Sequence, residues 1–361
     1  MNLNFLCQFN ETGIGRHCES AFRGIAKCKP DGWNLNYFDF TDQVSLRRLL
    51  AQGQSQASHT ITFMRLSPDF LARVQGRKIG WLFFESDRLP ETWLRQMDAF
   101  DQLWMPTDWA RDILVAHGVR DDRIRTVPCS VNEIVYFPRP IAHEGFVFLL
   151  VGKFEKRKSI SETVRAFSDE FPPSAWPTVE LWIKGDHPQF PERVQMLRTD
   201  CAHDPRIKIM SGLFTDEAMA SLYNRADAFV FPTKAEGFGL PTIEALACGL
   251  PVITTDYGGQ RVFLKHIQGL YYPVKYEVGE IVDSDYDHFY GSAPNGQGHG
   301  RWAIPSLDSI RAGMREVYEE ADSWRDRARQ ASQIIRAEFS TYSIAKQAID
   351  AIADSTSHRR V

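Results

Sequence analysis

Ala226-Asp-Ala-Phe-Val-Phe-Pro-Thr-Lys-Ala-Glu236-Gly-Phe-Gly-Leu240-Pro-Thr-Ile-Glu244-Ala-Leu-Ala-Cys-Gly-Leu250-Pro-Val-Ile-Thr-Thr-Asp-Tyr-Gly-Gly259 is the stretch that decides the fold. Its opening apolar run reads as a buried strand ending near Phe231, and Glu236-Gly-Phe-Gly239 reads as a loop. Pro241 suits the first position of a helix, where a missing N–H costs nothing, and Glu244 then falls in the first turn. Pro251–Thr254 is the next buried strand. Strand, glycine loop, helix and strand form a βαβ unit, which implies a parallel sheet.

The same alternation extends in both directions. Short apolar runs at Leu3–Cys7, Trp33–Phe38, Thr60–Met64, Ile79–Phe84, Gln102–Met105 and Ile124–Val127 are separated by amphipathic stretches. The polar, proline-bearing segment Phe137–Gly145 interrupts them, and the rhythm restarts at Gly145–Gly152, Val179–Ile183, Ile207–Met210 and Asp227–Phe231. The expected fold is therefore α/β, with two Rossmann-like, doubly wound domains facing a central cleft. The N-terminal domain takes residues 1–138, a linker 139–145, and the C-terminal domain 146–335. Residues 278–301, rich in Gly, Asp, Tyr and Asn, read as an insertion or long loop. The chain is helical after Pro305, and 336–361 is expected to pack back on the N-terminal domain, with Ser340 capping a helix from Thr341 to about Ala353.

Composition narrows the function. The 361 residues carry 42 basic and 46 acidic side chains, a net charge of -4, so no global basic field favours nucleic acid. The six cysteines, at 7, 18, 28, 129, 201 and 248, form no CxxC pair and no cluster with histidine, as expected of free thiols in a reducing compartment. No basic n-region opens the chain, and no apolar run reaches the roughly 18 residues of a membrane span. A cytoplasmic location is expected, with peripheral contact at the inner face of the membrane through the helix around Trp324–Arg336 or the tail Ser357-His-Arg-Arg-Val361 as the alternative to solvated surfaces.

The chemistry sits at the predicted strand ends. Unpaired amides at a helix start, reached through glycines, suit phosphate oxygens, and a carboxylate's two oxygens match the spacing of a vicinal diol. One of Glu236 and Glu244 on a hexose and the other on a ribose, beside such amides, would together describe a nucleotide sugar. Acidic residues near helix starts are favoured by the helix dipole in any protein, so the joint pattern carries the signal. Four basic residues within Lys153-Phe-Glu-Lys-Arg-Lys158 follow the restarted strand, and a cleft-facing cluster there would neutralise a diphosphate.

Glu-Gly-Phe-Gly-Leu-Pro-x-x-Glu-Ala-x-Ala-x-Gly-x-Pro-Val-Ile resembles the retaining glycosyltransferases of the GT-B fold, in particular glycosyltransferase family four, whose Glu-x7-Glu signature Glu236 and Glu244 match. The resemblance extends through Ser211–Tyr223, Asp101–Trp109 and Gly118–Pro128. It implies that Glu236 contacts the donor sugar and Glu244 the ribose, while the backbone of Gly237, Phe238, Gly239 and Leu240 faces sugar and diphosphate. Lys153 and Lys158 fit its phosphate-binding cations, with Arg157 as an adjacent alternative, and side chains around Leu213 would tune the donor. Thr12-Gly-Ile-Gly-Arg-His17 lacks the third glycine of a dinucleotide fingerprint, since Cys18 stands there. It is similar to the family's glycine-rich loop, with Gly15 the residue assigned to the donor phosphates and Gly13 and Arg16 beside it. The family's sugar-binding histidine is missing near Glu85-Ser-Asp87-Arg-Leu-Pro90, where Glu85 and Asp87 are candidates for acceptor or sugar contact and Asp87 is equally suited to cap the next helix.

The implied reaction is retaining transfer from a nucleoside-diphosphate sugar to a hydroxyl of a glycan, glycolipid or small-molecule acceptor, with no metal or cofactor required and no nucleic-acid partner. A nucleotide-sugar epimerase of the same fold and a non-catalytic nucleotide-sugar-binding subunit are the alternatives. Asp283-Ser-Asp285 has the form of an Asp-x-Asp metal motif, but it falls in the expected insertion and not at a strand end.

Overall fold

The computed structural model describes residues 1–10, 12–51, 59–186, 190–282 and 299–357. It divides into two compact units. The first contains Met1–Asn132, residues from Glu338 onward, and His299 and Gly300; the second contains the described residues between Glu133 and Ala337 apart from those two.

In the first unit, β1 (Asn2–Cys7), β2 (Asn34–Asp39), β3 (His59–Thr62), β4 (Arg77–Trp81), β5 (Gln102–Met105) and β6 (Ile124–Thr126) form one parallel sheet in the order β2-β1-β3-β4-β5-β6. All of β3 and β5 is buried, as expected of parallel strands covered on both faces. The helices are α1 (Gly13–Cys28), α2 (Gln43–Leu50), α3 (Pro68–Arg73), α4 (Glu91–Asp98) and α5 (Asp108–Ala116). Thr12, Asp42, Ser67 and Thr107 cap four of them by accepting backbone N–H groups, each replacing a hydrogen bond the first helical turn lacks. A last helix, Thr341–Ser357, begins at Ser340, whose hydroxyl accepts from the Ser343 amide at 3.1 Å. It packs on α1 across Gly24, where an added Cβ would come within 2.8 Å of Thr341 and 3.1 Å of the Ala345 Cβ.

The second unit holds β7 (Phe146–Val151), β8 (Val179–Lys184), β9 (Ile207–Met210), β10 (Ala228–Phe231), β11 (Val252–Thr255) and β12 (Tyr272–Val274) in the parallel order β12-β11-β10-β7-β8-β9. This is the Rossmann order, and it reverses between β10 and β7. Its helices include α6 (Ile160–Glu170), α7 (Glu192–Cys201), α8 (Asp216–Tyr223), α9 (Leu240–Ala247) and α10 (Arg261–Leu264), followed by Leu307–Glu319 and Ala321–Glu338.

Three expectations need correction. The unit boundary falls at Asn132/Glu133, before the expected 138/139, and the shifted residues bond within the second unit, Arg336 donating to Glu133 O and Asn224 Nδ2 to Phe137 O, both at 3.2 Å. Asn224 Oδ1 accepts from the Arg139 amide at 2.5 Å, and Asp227 Oδ2 pairs with His143 at 2.8 Å. Residues 278–301 are not irregular throughout: Tyr276–Glu280 (β13) pairs antiparallel with Arg301–Pro305 (β14). Finally, β12 has no counterpart among the expected strands. Asp283, Asp285 and the tail from His358 lie outside the described residues. Among the described residues, no helix is long and apolar enough to cross a membrane.

Candidate functional site

Ligands of doubly wound sheets bind beyond the carboxyl ends of the strands, where the strand order reverses. In the second unit this point is flanked by the loops leaving β7 and β10, which carry Lys153–Lys158 and Thr233–Gly239.

A single turn of 3-10 helix, Lys156–Lys158, turns Lys158 inward, leaving its side chain 8% exposed. Lys158 Nζ donates to Glu236 Oε1 at 2.6 Å. The same oxygen accepts from Thr233 Oγ1 at 2.9 Å and from Arg157 at 3.1 Å. Burial disfavours the charge on Glu236, but the Lys158 and Arg157 cations and the hydrogen bonds from Lys158 and Thr233 outweigh it, holding the carboxyl below its ordinary value. Burial and the adjacent Arg157 charge push the Lys158 ammonium down, against the pull of Glu236 and Glu155. Glu236 Oε2 accepts no hydrogen bond among the described residues. The expected two-oxygen grip on a diol is thereby corrected: Oε1 is filled by protein donors, and one oxygen is left for a ligand.

Gly239 enters α9 with φ +100°, a left-handed conformation that allows the chain to turn from the loop into the helix. The amides of Gly237, Phe238, Gly239 and Leu240 donate no hydrogen bond among the described residues, so a row of free N–H groups lies at the start of a helix. Pro241 is the second helical residue, not the first, and Glu244 is the fifth, beyond the first turn. What holds Glu244 is Tyr223, whose hydroxyl donates to Oε2 at 2.9 Å. Burial and this carboxylate push the Tyr223 hydroxyl well above its ordinary value, keeping it a donor.

Gln260 braces the loop from behind. Its side-chain N–H groups donate to Thr255 O at 2.8 Å and Thr254 Oγ1 at 3.1 Å, and its Oε1 accepts from Thr242 at 2.9 Å. A Cβ on Gly239 would sit 3.3 Å from that Oε1. Gly239→Ala is therefore expected to lower unfolding stability by about 1–3 kcal/mol through left-handed strain, measured by urea titration; a loss under about 0.5 kcal/mol would contradict the strain argument.

Lys153 is exposed at the carboxyl end of β7 and makes no ion pair among the described residues. Leu213 is 73% exposed in a turn fixed by Lys184, which donates to Gly212 O at 2.7 Å and lies 4.6 Å from the Phe214 ring centre.

In the first unit, Gly15 is buried within α1. Its amide is used to bond Thr12 Oγ1 at 3.2 Å, and a Cβ would collide with Asn10. Both features give this glycine a structural reason independent of any phosphate. Glu85 and Asp87 are half-buried between β4 and α4. Asp87 does not cap α4, which starts at Glu91 with Pro90 as its N-cap and no side-chain bond there. The turn is closed by Ser86, whose hydroxyl donates to His299 O and accepts from the Arg88 amide.

The fold is GT-B: two parallel-sheet, Rossmann-like units matching solved glycosyltransferases of that class. Sucrose-phosphate synthase from Thermosynechococcus elongatus superposes with a TM-score of 0.73 at 16% identity, covering 99% of this chain and 100% of that one. HepE from Anabaena, solved in complex with UDP-glucose, gives 0.69 at 15% identity over 99% and 100%. In sequence, residues 145–283 match the family described as Glycosyl transferases group 1. Alpha-galactosylglucosyldiacylglycerol synthase of Streptococcus pneumoniae is 24% identical over 57% of this chain and 61% of its own length. D-inositol 3-phosphate glycosyltransferase of Acidothermus cellulolyticus is 28% identical over 42% of this chain and 37% of its own. The chain thus aligns with less than two thirds of either relative.

Proposed function

We propose that this chain is a retaining glycosyltransferase of family four, moving a sugar from a nucleoside-diphosphate sugar to a hydroxyl of a glycan, glycolipid or small-molecule acceptor. The observation that carries this is the buried Lys158–Glu236 pair beside the free amides of Gly237–Leu240 at the switch point of a Rossmann sheet. Anion donors, a fixed cation and one presented carboxylate oxygen are what a sugar diphosphate requires. The glycolipid and inositol-phosphate names of the relatives, and UDP-glucose in a structural neighbour, support the same class of donor and acceptor.

In the reaction, the bond between the anomeric carbon and the β-phosphate oxygen breaks, and the acceptor oxygen bonds that carbon on the same face. The acceptor proton passes to the departing phosphate. Lys158, Lys153 and the amides of 237–240 stabilise the negative charge that develops there. Glu236 Oε2 orients a donor-sugar hydroxyl and Glu244 the ribose.

An assay with UDP-, GDP- and ADP-sugars against glycan and glycolipid acceptors, with products examined by NMR, tests the proposal. The expected product keeps the donor's anomeric configuration, and turnover survives EDTA. An inverted product, an epimerised donor, or loss of activity in EDTA restored by manganese would each overturn the corresponding element.

A further inference from the structure

We propose that Arg157 is a positioning residue of this site: it makes no ligand contact of its own, but holds Glu236 with one carboxylate oxygen turned into the protein and the other presented to substrate. This rests on the glycosyl-transfer reading above. The Arg157 guanidinium is spread over two loops. One terminal nitrogen donates to Ala235 O at 2.6 Å and Glu236 Oε1 at 3.1 Å, and the other to Glu155 Oε2 at 3.0 Å. Its backbone carbonyl accepts from the Lys234 amide at 2.8 Å. Arg157 therefore joins the loop after β7 to the loop after β10 through both backbone and side chain, and its side chain is only 12% exposed.

The turn that carries it is strained. Ser159, with φ +52°, is the one non-glycine residue at positive φ among the described residues, and its buried hydroxyl has no hydrogen-bond partner there. Such a conformation persists only where surrounding contacts over-determine it; Ser159 is bonded to Lys156 O at 3.2 Å and to Thr163 at 2.9 and 3.0 Å, and the Arg157 bonds anchor the preceding turn. A lysine could restore the charge but not the planar fork that reaches Ala235, Glu236 and Glu155 together.

Arg157 also supplies part of the field that keeps Glu236 ionised, so its loss raises the pH at which Glu236 takes a proton. Three readouts on wild type, Arg157→Gln and Arg157→Lys decide the matter: kcat on the best donor, the acid limb of its pH profile, and nucleoside-diphosphate affinity by calorimetry. Arg157→Gln is expected to lower kcat about 100-fold by misplacing Glu236, to shift the acid limb upward, and to leave diphosphate affinity within about threefold. Arg157→Lys should keep the wild-type limb and affinity while kcat falls about tenfold.

A limb that stays in place in Arg157→Gln, or an affinity loss beyond about threefold, overturns the proposal, the latter by making Arg157 a ligand contact. If Arg157→Gln does not fold, Arg157→Lys decides: kcat within about twofold of wild type overturns it. A wild type that neither binds nucleoside diphosphates nor turns over any donor overturns the glycosyl-transfer reading and this proposal together; an active wild type with unaffected variants overturns this proposal alone.

Discussion

Lys158→Ala is expected to lower kcat by about three orders of magnitude, the scale seen when one preorganised group facing developing charge is lost. In the proposed transfer, negative charge grows on the departing diphosphate as the glycosidic bond breaks, so an ammonium beside it would gain most in the transition state and the loss would appear in kcat more than in KM. The structure bounds the accompanying loss of stability. Removing one member of a buried ion pair commonly costs 3–5 kcal/mol because the partner is left uncompensated. Here Glu236 Oε1 keeps Thr233 at 2.9 Å and Arg157 at 3.1 Å, so a smaller loss of about 1–3 kcal/mol is expected. Without Lys158, Glu236 ionises at a higher pH, and residual activity should fall away earlier on the acid side. Steady-state kinetics across pH, paired with urea unfolding, separates these effects. Wild-type turnover in a destabilised variant would remove Lys158 from the chemistry and leave it a structural cation.

Much of the fold was legible because parallel strands buried on both faces read as continuous apolar runs. Phe146–Val151 and Ala228–Phe231 are buried along nearly their whole length and stand out from what flanks them. Tyr272–Val274 did not, being three residues long with a central proline, and neither did the exposed, alternating Tyr276–Glu280. The Phe137–Gly145 segment has a linker's composition, and long-range contacts, those with Asn224 and Asp227 some 80 residues away among them, tie it to the second unit. In the site, residue type and spacing drew attention to Glu236, Glu244 and the basic run Lys153–Lys158, and the family resemblance narrowed that run to Lys153 and Lys158. Arg157 was named there only as an alternative phosphate-binding cation, and the bonds that orient the carboxylates were hidden for the same long-range reason. Tyr223 lies 21 residues before Glu244, Gln260 18 residues after Thr242, and the inward aim of Arg157 at a carboxylate 79 residues on has no local signal.

Acid sensitivity should centre on His17, the last residue of the Thr12–His17 stretch. It lies in α1, 2% exposed, with ring centroids 4.5 Å from Trp81, 5.3 Å from Phe63 and 5.4 Å from Phe83, all near perpendicular. Neither ring nitrogen has a hydrogen-bond partner among the described residues, and burial lowers its pKa to about 3. The folded state therefore keeps the imidazole neutral, while the unfolded chain takes up a proton near pH 6.5. A group depressed on folding leaves stability intact above its unfolded pKa and removes it as pH falls, here across the window from about 6.5 to about 3. Over the whole window the loss approaches about 5 kcal/mol, and between pH 7.5 and 4.5 it is about 3 kcal/mol. That is a large fraction of a domain's total stability. His17→Phe, with His17→Leu as a smaller alternative, removes the titrating group while keeping an apolar side chain among the same three rings. Other groups titrate alike in wild type and variant, so the difference in urea-unfolding free energy between them should change by about 3 kcal/mol from pH 7.5 to 4.5 in the variant's favour. A difference that is independent of pH would mean that His17 is protonated in the folded protein, with a partner for its charge, and would overturn the account of its burial.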